Sequence, residues 1–256
     1  MMNSEKYESF YALTESPFSL TPDPRFLFQN KGVHEILRAV LYGLETQKGI
    51  MAILGEAGTG KTTVCRALLE LLPPKFKTVL LLDPNLSEDQ LLRAVVEDLG
   101  IPCDGFDRPA LMSALEGFLL QAGQQGHCVV VILDEAQHLS SALLEQVRIL
   151  SNFETPTRKL AQVVLVGQKE LEEKLQRPDL RQVNQRIGVR CRLAPLSRSE
   201  TVSYIEHRLR LAGMKGKVPL TRSALQRIWA YSGGIPRLIN LACDHALSAG
   251  FVSRSQ

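Results

Sequence analysis

The sequence predicts an α/β fold in which a five-stranded parallel sheet lies between two layers of helices and is followed by an all-helical C-terminal unit. Two observations support this fold. Short apolar segments alternate with longer amphipathic segments over residues 1–195, as in strands joined by crossover helices. After Pro195 the strand-like segments stop and only helical patterns follow. We therefore predict a core domain, residues 1–195, and a helical lid, residues 196–256.

Five apolar segments are predicted as the strands of the core. Each has the length of a buried strand, and the chain between consecutive segments is long enough for a helical crossover. The predicted strands are residues 49–54, 78–82, 129–133, 162–166 and 189–193.

Capping signals mark helices between and after these strands. Residues 87–99 begin with a capping box in which Ser87 is followed three positions later by Gln90. A second box, Ser197 with Glu200, marks the first helix of the lid. The other predicted helices are residues 108–122 in the core, and residues 221–231 and 236–248 after a first lid helix at 197–212.

The first 30 residues are predicted to form an extended strap. Three prolines exclude a continuous helix there, and several aromatic side chains accompany them. Aromatic side chains bury a large apolar area, so we expect the strap to pack on the α/β core through them. The prolines are Pro17, Pro22 and Pro24, and the aromatic residues are Phe10, Tyr11, Phe18, Phe26 and Phe28.

Composition and charge exclude several classes of protein. Apolar residues make up 45% and charged residues 22% of the 256 residues, which is typical of globular proteins and not of disordered or fibrous ones. The net charge of +3 names no partner by itself. The longest apolar runs, residues 50–54 and 128–133, are far shorter than the roughly 20 residues of a membrane helix. The N-terminus lacks the apolar stretch of a secretory signal, so we expect a cytoplasmic protein.

The most specific motif is GEAGTGKTT at residues 55–63, directly after the first predicted strand. It matches the phosphate-binding pattern G-x-x-x-x-G-K-[ST], and its strand–loop–helix context argues against a chance glycine-rich turn. Such a loop points backbone N–H groups at phosphate oxygens, while Lys61 reaches the β- and γ-phosphates and Thr62 binds Mg²⁺. The candidate ATP-binding residues are Gly55, Glu56, Ala57, Gly58, Thr59, Gly60, Lys61, Thr62 and Thr63.

A second motif places two carboxylates after the third predicted strand. Asp134 follows the apolar run at its carboxyl end, where open α/β sheets bind ligands, and is a candidate ligand of Mg²⁺. Glu135 is the adjacent carboxylate and would polarise an attacking water. A surface Asp-Glu pair is the ordinary alternative, but the preceding phosphate loop favours hydrolysis. His138, just beyond, is interpreted as structural.

Together these motifs resemble the AAA+ ATPases, which have a P-loop NTPase fold. Within that superfamily, YESFYALTESPF at residues 7–18 and TPDPRF at residues 21–26 are similar to the general secretion pathway protein A family. The resemblance covers nearly the whole chain. Its other segments are DEAQ at 134–137, LVGQ at 165–168, LRQVNQR at 180–186 and GGIPR at 233–237.

The resemblance implies roles for residues that spacing alone does not single out. Gln168 matches sensor 1, which contacts the γ-phosphate or the water. Arg186 matches the arginine finger that a neighbouring subunit inserts, and Arg181 is the competing candidate. Arg237 matches sensor 2 at the start of a lid helix. Lys169 stands where such proteins often have proline, which leaves the rigidity of that loop open.

The resemblance also implies a function. We expect Mg²⁺-dependent ATP hydrolysis by a homo-oligomer that drives assembly or localisation of a bacterial envelope secretion complex of the type II kind, with an inner-membrane secretion partner. A nucleotide-binding switch without turnover is disfavoured by Glu135. Phe18 and Phe26 are alternative flanks for the adenine ring, although packing in a core is favoured for both.

A DNA-linked ATPase of the transposition or helicase-loader type is the alternative function. It requires a basic stripe on one surface. Glu200 and Glu206 interleave with the candidate cations, which favours an ordinary solvated face over a DNA-binding one. The candidates are Arg190, Arg192, Arg198, Arg208, Arg210, Lys215 and Lys217.

Overall fold

The computed structural model describes residues 7–82 and 86–253, and its centre is a parallel five-stranded sheet. Along the chain, the described strands are β1 (Ile50–Gly55), β2 (Phe76–Leu81), β3 (Cys128–Leu133), β4 (Glu154–Thr155), β5 (Arg158–Lys159), β6 (Ala161–Gly167) and β7 (Ile187–Leu193). The order in the sheet is β2-β3-β6-β1-β7, and β4 pairs with β5 in a separate small hairpin. The predicted fold class and all five core strands are confirmed.

The strand bounds differ from the predicted ones by one or two residues. The prediction for β2 began at residue 78, but pairing with β3 extends it back to Phe76 through the charged Lys77. Likewise β7 begins at Ile187 because it pairs there with Ile50 of β1. Backbone pairing, which composition does not report, sets these ends. The hairpin of β4 and β5 was not predicted.

Helices fill the connections between strands and form the C-terminal lid. They are α1 (Tyr7–Phe10), α2 (Lys31–Glu45), α3 (Lys61–Leu71), α4 (Glu88–Asp98), α5 (Arg108–Gln124), α6 (Ser141–Leu150), α7 (Lys169–Leu175), α8 (Arg181–Gln185), α9 (Arg198–Leu211), α10 (Arg222–Ser232) and α11 (Pro236–Val252). Both predicted capping boxes are present, at Ser87 with Gln90 and at Ser197 with Glu200. No described helix has the length and apolar character required to cross a membrane.

The sheet separates two apolar cores. On one face α2 and α3 pack against β1, β3 and β6, and on the other face α4, α5 and α6 pack against the same sheet. Because helices cover both faces, β1 and β6 are buried at every position. The edge strand β7 instead alternates between exposed and covered residues. This is the predicted three-layer arrangement.

The strap packs on the lid, which corrects the prediction that it packs on the α/β core. Leu13 and Phe18 are buried among the apolar side chains of α9, α10 and α11, and Tyr7 donates a hydrogen bond to Asp244 of α11 at 2.7 Å. Three helices alone enclose little volume, and the strap completes their core. Further along, the strap reaches α3, where Arg66 donates to the Pro22 carbonyl at 2.6 Å. Residues 1–6 of the predicted strap lie outside the described residues.

A close backbone approach fixes the start of the lid. Leu196 donates its N–H to the Gly234 carbonyl at 2.8 Å, just before α11. Gly234 has φ +81°, and a Cβ there would lie 1.9 Å from the Leu196 carbonyl oxygen. Only glycine fits this position without movement of the backbone. The division into two domains at residue 195 stays a prediction.

We expect the substitution Gly234→Ala to lower the free energy of unfolding by about 2–4 kcal/mol, because it combines a left-handed backbone with a main-chain clash. Urea unfolding followed by circular dichroism measures this change. The control is Gly216→Ala, where a Cβ would have no neighbour within 4 Å, and it should change stability by less than about 0.5 kcal/mol. Equal urea midpoints for the two variants would contradict this interpretation of Gly234.

Candidate active site

The loop between β1 and α3 has the curled backbone that a phosphate-binding loop requires. Gly58 and Gly60 have φ of +78° and +97°, a region open to glycine at little cost. A Cβ at Gly55 would lie 2.8 Å from the Leu193 carbonyl oxygen. Gly60 precedes α3 and provides no capping side chain, so the first N–H groups of α3 are available to an anion.

Lys61 lies beneath this loop and is 5% exposed. Its Nζ donates to the carbonyl oxygens of Gly55 and Glu56, both at 3.0 Å. Burial lowers the pKa of the Lys61 ammonium from its usual value, while the nearby carboxylates of Glu135 and Asp134 oppose that shift. The loop thus holds a positive charge that phosphate oxygens would compensate.

Thr62 and Asp134 form the candidate metal site. The Thr62 hydroxyl donates to Oδ2 of Asp134 at 2.5 Å, and Oδ1 of Asp134 accepts the N–H of Glu135 at 2.8 Å. Asp134 is 2% exposed, so its carboxylate is held rigidly. Hydroxyl and carboxylate oxygens are the ligand atoms that Mg²⁺ prefers. The described residues contain no group of three or more His, Cys, Asp or Glu that could hold a metal ion by itself.

Glu135 adopts a left-handed backbone conformation, with φ +50°. Its Oε2 accepts N–H groups from two side-chain amides, that of Gln137 at 2.5 Å and that of Gln168 at 3.3 Å. Gln168, directly after β6, therefore lies beside Glu135, and its role as sensor 1 stays a prediction. We assigned no role to Gln137 from the sequence. Its place two positions after Glu135, within DEAQ, was the available signal.

Arg237 lies at the cleft between the loop and the lid. Its N–H donates to the Gly58 carbonyl at 3.1 Å, and a Cβ on Gly58 would lie 2.8 Å from the Cβ of Arg237. The absence of a side chain at Gly58 therefore allows α11 to approach the loop. The Arg237 side chain is exposed and lines the cavity described next.

A cavity of about 320 Å³ lies where the loop, the strap and the lid meet. Its walls include strap residues 19–23, the loop, Tyr204 and Arg208 of α9, and the start of α11. Phe26 lines this cavity, whereas Phe18 is buried in the lid core. Phe18 is 3% and Phe26 is 7% exposed, which confirms packing for both rings. Phe26 and Phe28 also line the cavity.

Arg208 does not belong to a surface stripe, which corrects its prediction as a DNA-contacting cation. It is 6% exposed, and its Nε and Nη2 donate to the strap carbonyls of Pro17 and Ser19 at 2.5 and 3.3 Å. Its guanidinium also lies 4.6 Å from the centre of the Phe26 ring. Arg208 thus attaches the strap to α9. The other candidate cations are exposed, namely Arg190, Arg192, Arg198, Arg210, Lys215 and Lys217.

The two candidate finger arginines are exposed and lie away from the chain's own loop. Arg186 directly precedes β7, whose first residue pairs with Ile50, whereas its last residue, Leu193, pairs with Gly55. At about 3.3 Å per residue, Arg186 is therefore about 20 Å from the edge that carries the loop. Arg181 begins α8 and is also exposed. Arg186 is therefore not part of its own chain's candidate site, and the arginine-finger role stays a prediction for both Arg186 and Arg181.

Comparison with known proteins agrees with this geometry. Residues 44–175 match the model of a family described as AAA domain, and the chain belongs to that family. It is also 43% identical over 253 residues to general secretion pathway protein A of Aeromonas hydrophila, which confirms the resemblance seen in the sequence. That match covers 97% of this chain and 46% of the relative, so the chain spans about half of the relative's length.

Solved structures show the same fold. The Aeropyrum pernix ORC2 protein, solved in ADPNP-ADP complexes, superposes with a TM-score of 0.67 at 18% identity, covering 94% of this chain and 67% of that one. Cdc6p from Pyrobaculum aerophilum superposes with a TM-score of 0.75, also at 18% identity, covering 94% and 66%. At such identities the match supports the architecture alone.

We expect Arg208→Met to lower the free energy of unfolding by about 2–3 kcal/mol, because it leaves the buried Pro17 carbonyl without a donor and removes a stacked guanidinium. Thermal or urea unfolding measures this loss. Arg210→Met is the matched control, since Arg210 is exposed on the same helix. If both variants are as stable as the original chain, Arg208 does not attach the strap.

Proposed function

We propose that this protein is a Mg²⁺-dependent ATPase that hydrolyses ATP at the loop between β1 and α3. The observation that carries this proposal is the position of Glu135. Glu135 lines the same cavity as loop residues 58–63, and it directly follows Asp134, which is hydrogen-bonded to Thr62. A loop alone would support binding. A carboxylate held beside it supports hydrolysis.

Each residue of the site has a role in this proposal. The loop N–H groups and Lys61 bind the phosphates, and the Lys61 ammonium exchanges its bonds to the Gly55 and Glu56 carbonyls for phosphate oxygens. Thr62 and Asp134 would hold Mg²⁺, which when bound would neutralise negative charge on the phosphates. Glu135 orients the attacking water and accepts its proton.

The sensor residues would connect the phosphates to the rest of the chain. Gln168 is within reach of Glu135, and its amide offers both a donor and an acceptor to the γ-phosphate or the water. Arg237 would bring a positive charge from the lid, because its backbone already touches Gly58. A change of nucleotide then shifts the lid relative to the loop.

The site would be completed by a second copy of the chain. Arg186 lies at the amino-terminal ends of the strands, whereas the loop follows the carboxyl end of β1. We therefore assign Arg186 to the nucleotide of a neighbouring subunit, with Arg181 as the competing residue. A homo-oligomer follows from this assignment, and hydrolysis should depend on assembly.

The relationship to general secretion pathway protein A supports a role in assembling or localising a bacterial envelope secretion complex. In that role the protein would act on the cytoplasmic side and contact an inner-membrane partner. The DNA-linked function remains the alternative, because several arginines and lysines are exposed on β7 and the lid. It is weakened by Arg208, which is buried, and by Arg192, which is paired with Glu172 at 2.6 Å.

We expect Glu135→Gln to bind ATP and retain it, with hydrolysis reduced at least about 100-fold, because the amide cannot accept the proton of the water. Rapid filtration with labelled ATP and single-turnover kinetics measure retention and cleavage. Lys61→Ala is the comparison, since it should lose binding itself. Turnover by Glu135→Gln at the original rate would contradict hydrolysis through this residue.

The finger assignment is tested by mixing inactive variants. Arg186→Ala lacks the finger but keeps its own site, whereas Lys61→Ala has no working site but keeps the finger. In a randomly mixed oligomer at equal amounts, about one quarter of the original activity should return, because half of the subunits keep a site and half of their neighbours supply an arginine.

The same mixture with Arg181→Ala in place of Arg186→Ala distinguishes the two arginines.

The original chain should show an ATPase rate per subunit that rises with protein concentration and does not change when double-stranded DNA is added at low salt. A rate that stays flat until DNA is added would instead favour the DNA-linked alternative.

A further inference from the structure

Gln137 contacts both Glu135 and Gln168, the two residues that the proposed hydrolysis places closest to the γ-phosphate. Its side chain is 8% exposed and both ends of its amide are used. The Nε2 group donates to Oε2 of Glu135 at 2.5 Å, and Oε1 accepts the backbone N–H of Gln168 at 3.1 Å. One amide therefore holds the carboxylate after β3 and the main chain after β6.

The surroundings of Gln137 fix this amide in place. Lys174 of α7 donates to the Gln137 and Leu139 carbonyls at 2.6 and 2.8 Å, which anchors the backbone. On the side-chain end, a Cβ at Gly167 would lie 3.0 Å from Oε1 of Gln137. The glycine at position 167 thus leaves room for the amide, and little freedom remains for it to rotate.

The two glutamine side chains lie at different distances from the Glu135 carboxylate. The Gln137 contact is shorter than that of the Gln168 side chain, which is 3.3 Å from the same oxygen. If Gln168 turned to the γ-phosphate or the water, Glu135 would keep its contact with the Gln137 amide. Gln137 does not line the cavity that Glu135 lines, so it would act without touching the substrate.

From this geometry we propose that Gln137 is a positioning residue that holds the Glu135 carboxylate in its orientation and ties it to the Gln168 segment. The proposal rests on the proposed ATP hydrolysis. The amide serves both contacts because it combines a donor and an acceptor. A carboxylate would keep the acceptor for the Gln168 N–H but repel Glu135, and an apolar side chain would lose both contacts.

The test compares Gln137→Met and Gln137→Glu with the original chain in steady-state ATPase assays and nucleotide-binding titrations. We expect kcat to fall about tenfold in Gln137→Met and further in Gln137→Glu, while the dissociation constant for ATP changes by less than about twofold. This separation marks a positioning role, since loss of folded protein would instead lower the active fraction and the number of binding sites together.

The matched control is Gln146→Met. Gln146 is half-buried in α6 and its amide donates to Oε2 of Glu88 at 3.0 Å, a similar contact outside the described cavity. Its kcat should equal that of the original chain.

Distinct results overturn the two proposals. If the kcat of Gln137→Met equals that of the original chain, the positioning role is overturned. Hydrolysis by the original chain is unaffected by that result. A fall in kcat matched by an equal fall in the number of ATP-binding sites also overturns it. If the original chain binds ATP but does not hydrolyse it, the proposed function fails, and the role of Gln137 fails with it.

Discussion

The charge of Lys61 beneath the loop is the constraint on which the rest of the site depends. A nearly buried ammonium is costly unless its donors and its charge are compensated. Two loop carbonyls take its hydrogen bonds, and the carboxylates of Asp134 and Glu135 provide the opposing charge. These groups come from separate parts of the chain. They meet because β1 and β3 are parallel, are separated only by β6, and end at one edge of the sheet.

The strap and the lid form a second unit around this edge. The strap completes the lid core, and Arg208 attaches it to α9 through the Pro17 carbonyl. The same strap touches α3 through Arg66, and α11 touches the loop at Gly58. These contacts join both the strap and the lid helices to the elements that carry the candidate phosphate site.

Glu135 shows how the fold places a carboxylate at a fixed point. Its left-handed backbone costs of order 1–2 kcal/mol for a residue with a Cβ, and such conformations persist where surrounding contacts determine them. Here the contacts are the Asp134 carboxylate on its N–H and two amides on its side chain. The strained backbone here accompanies a fixed orientation of the carboxylate, as is common at functional sites.

Much of the fold and of the site was predictable from the sequence because the relevant signals are local. The five strands appear as short apolar runs, the loop as a nine-residue motif, and Asp134 with Glu135 as the end of a strand. The capping boxes at Ser87 and Ser197 act within one helical turn. Such features depend on neighbours in the chain, so composition and spacing report them directly.

Contacts between distant segments decided the remainder. The burial of Arg208 depends on Pro17, 191 positions away, and the packing of the strap on the lid depends on helices near the far end of the chain. Gln137 gained its second contact from Gln168, 31 positions further on. Residue type alone does not distinguish a buried arginine from an exposed one. It also does not distinguish a glutamine without contacts from one that holds a carboxylate. That difference arises only when the sheet and the lid bring their surroundings together.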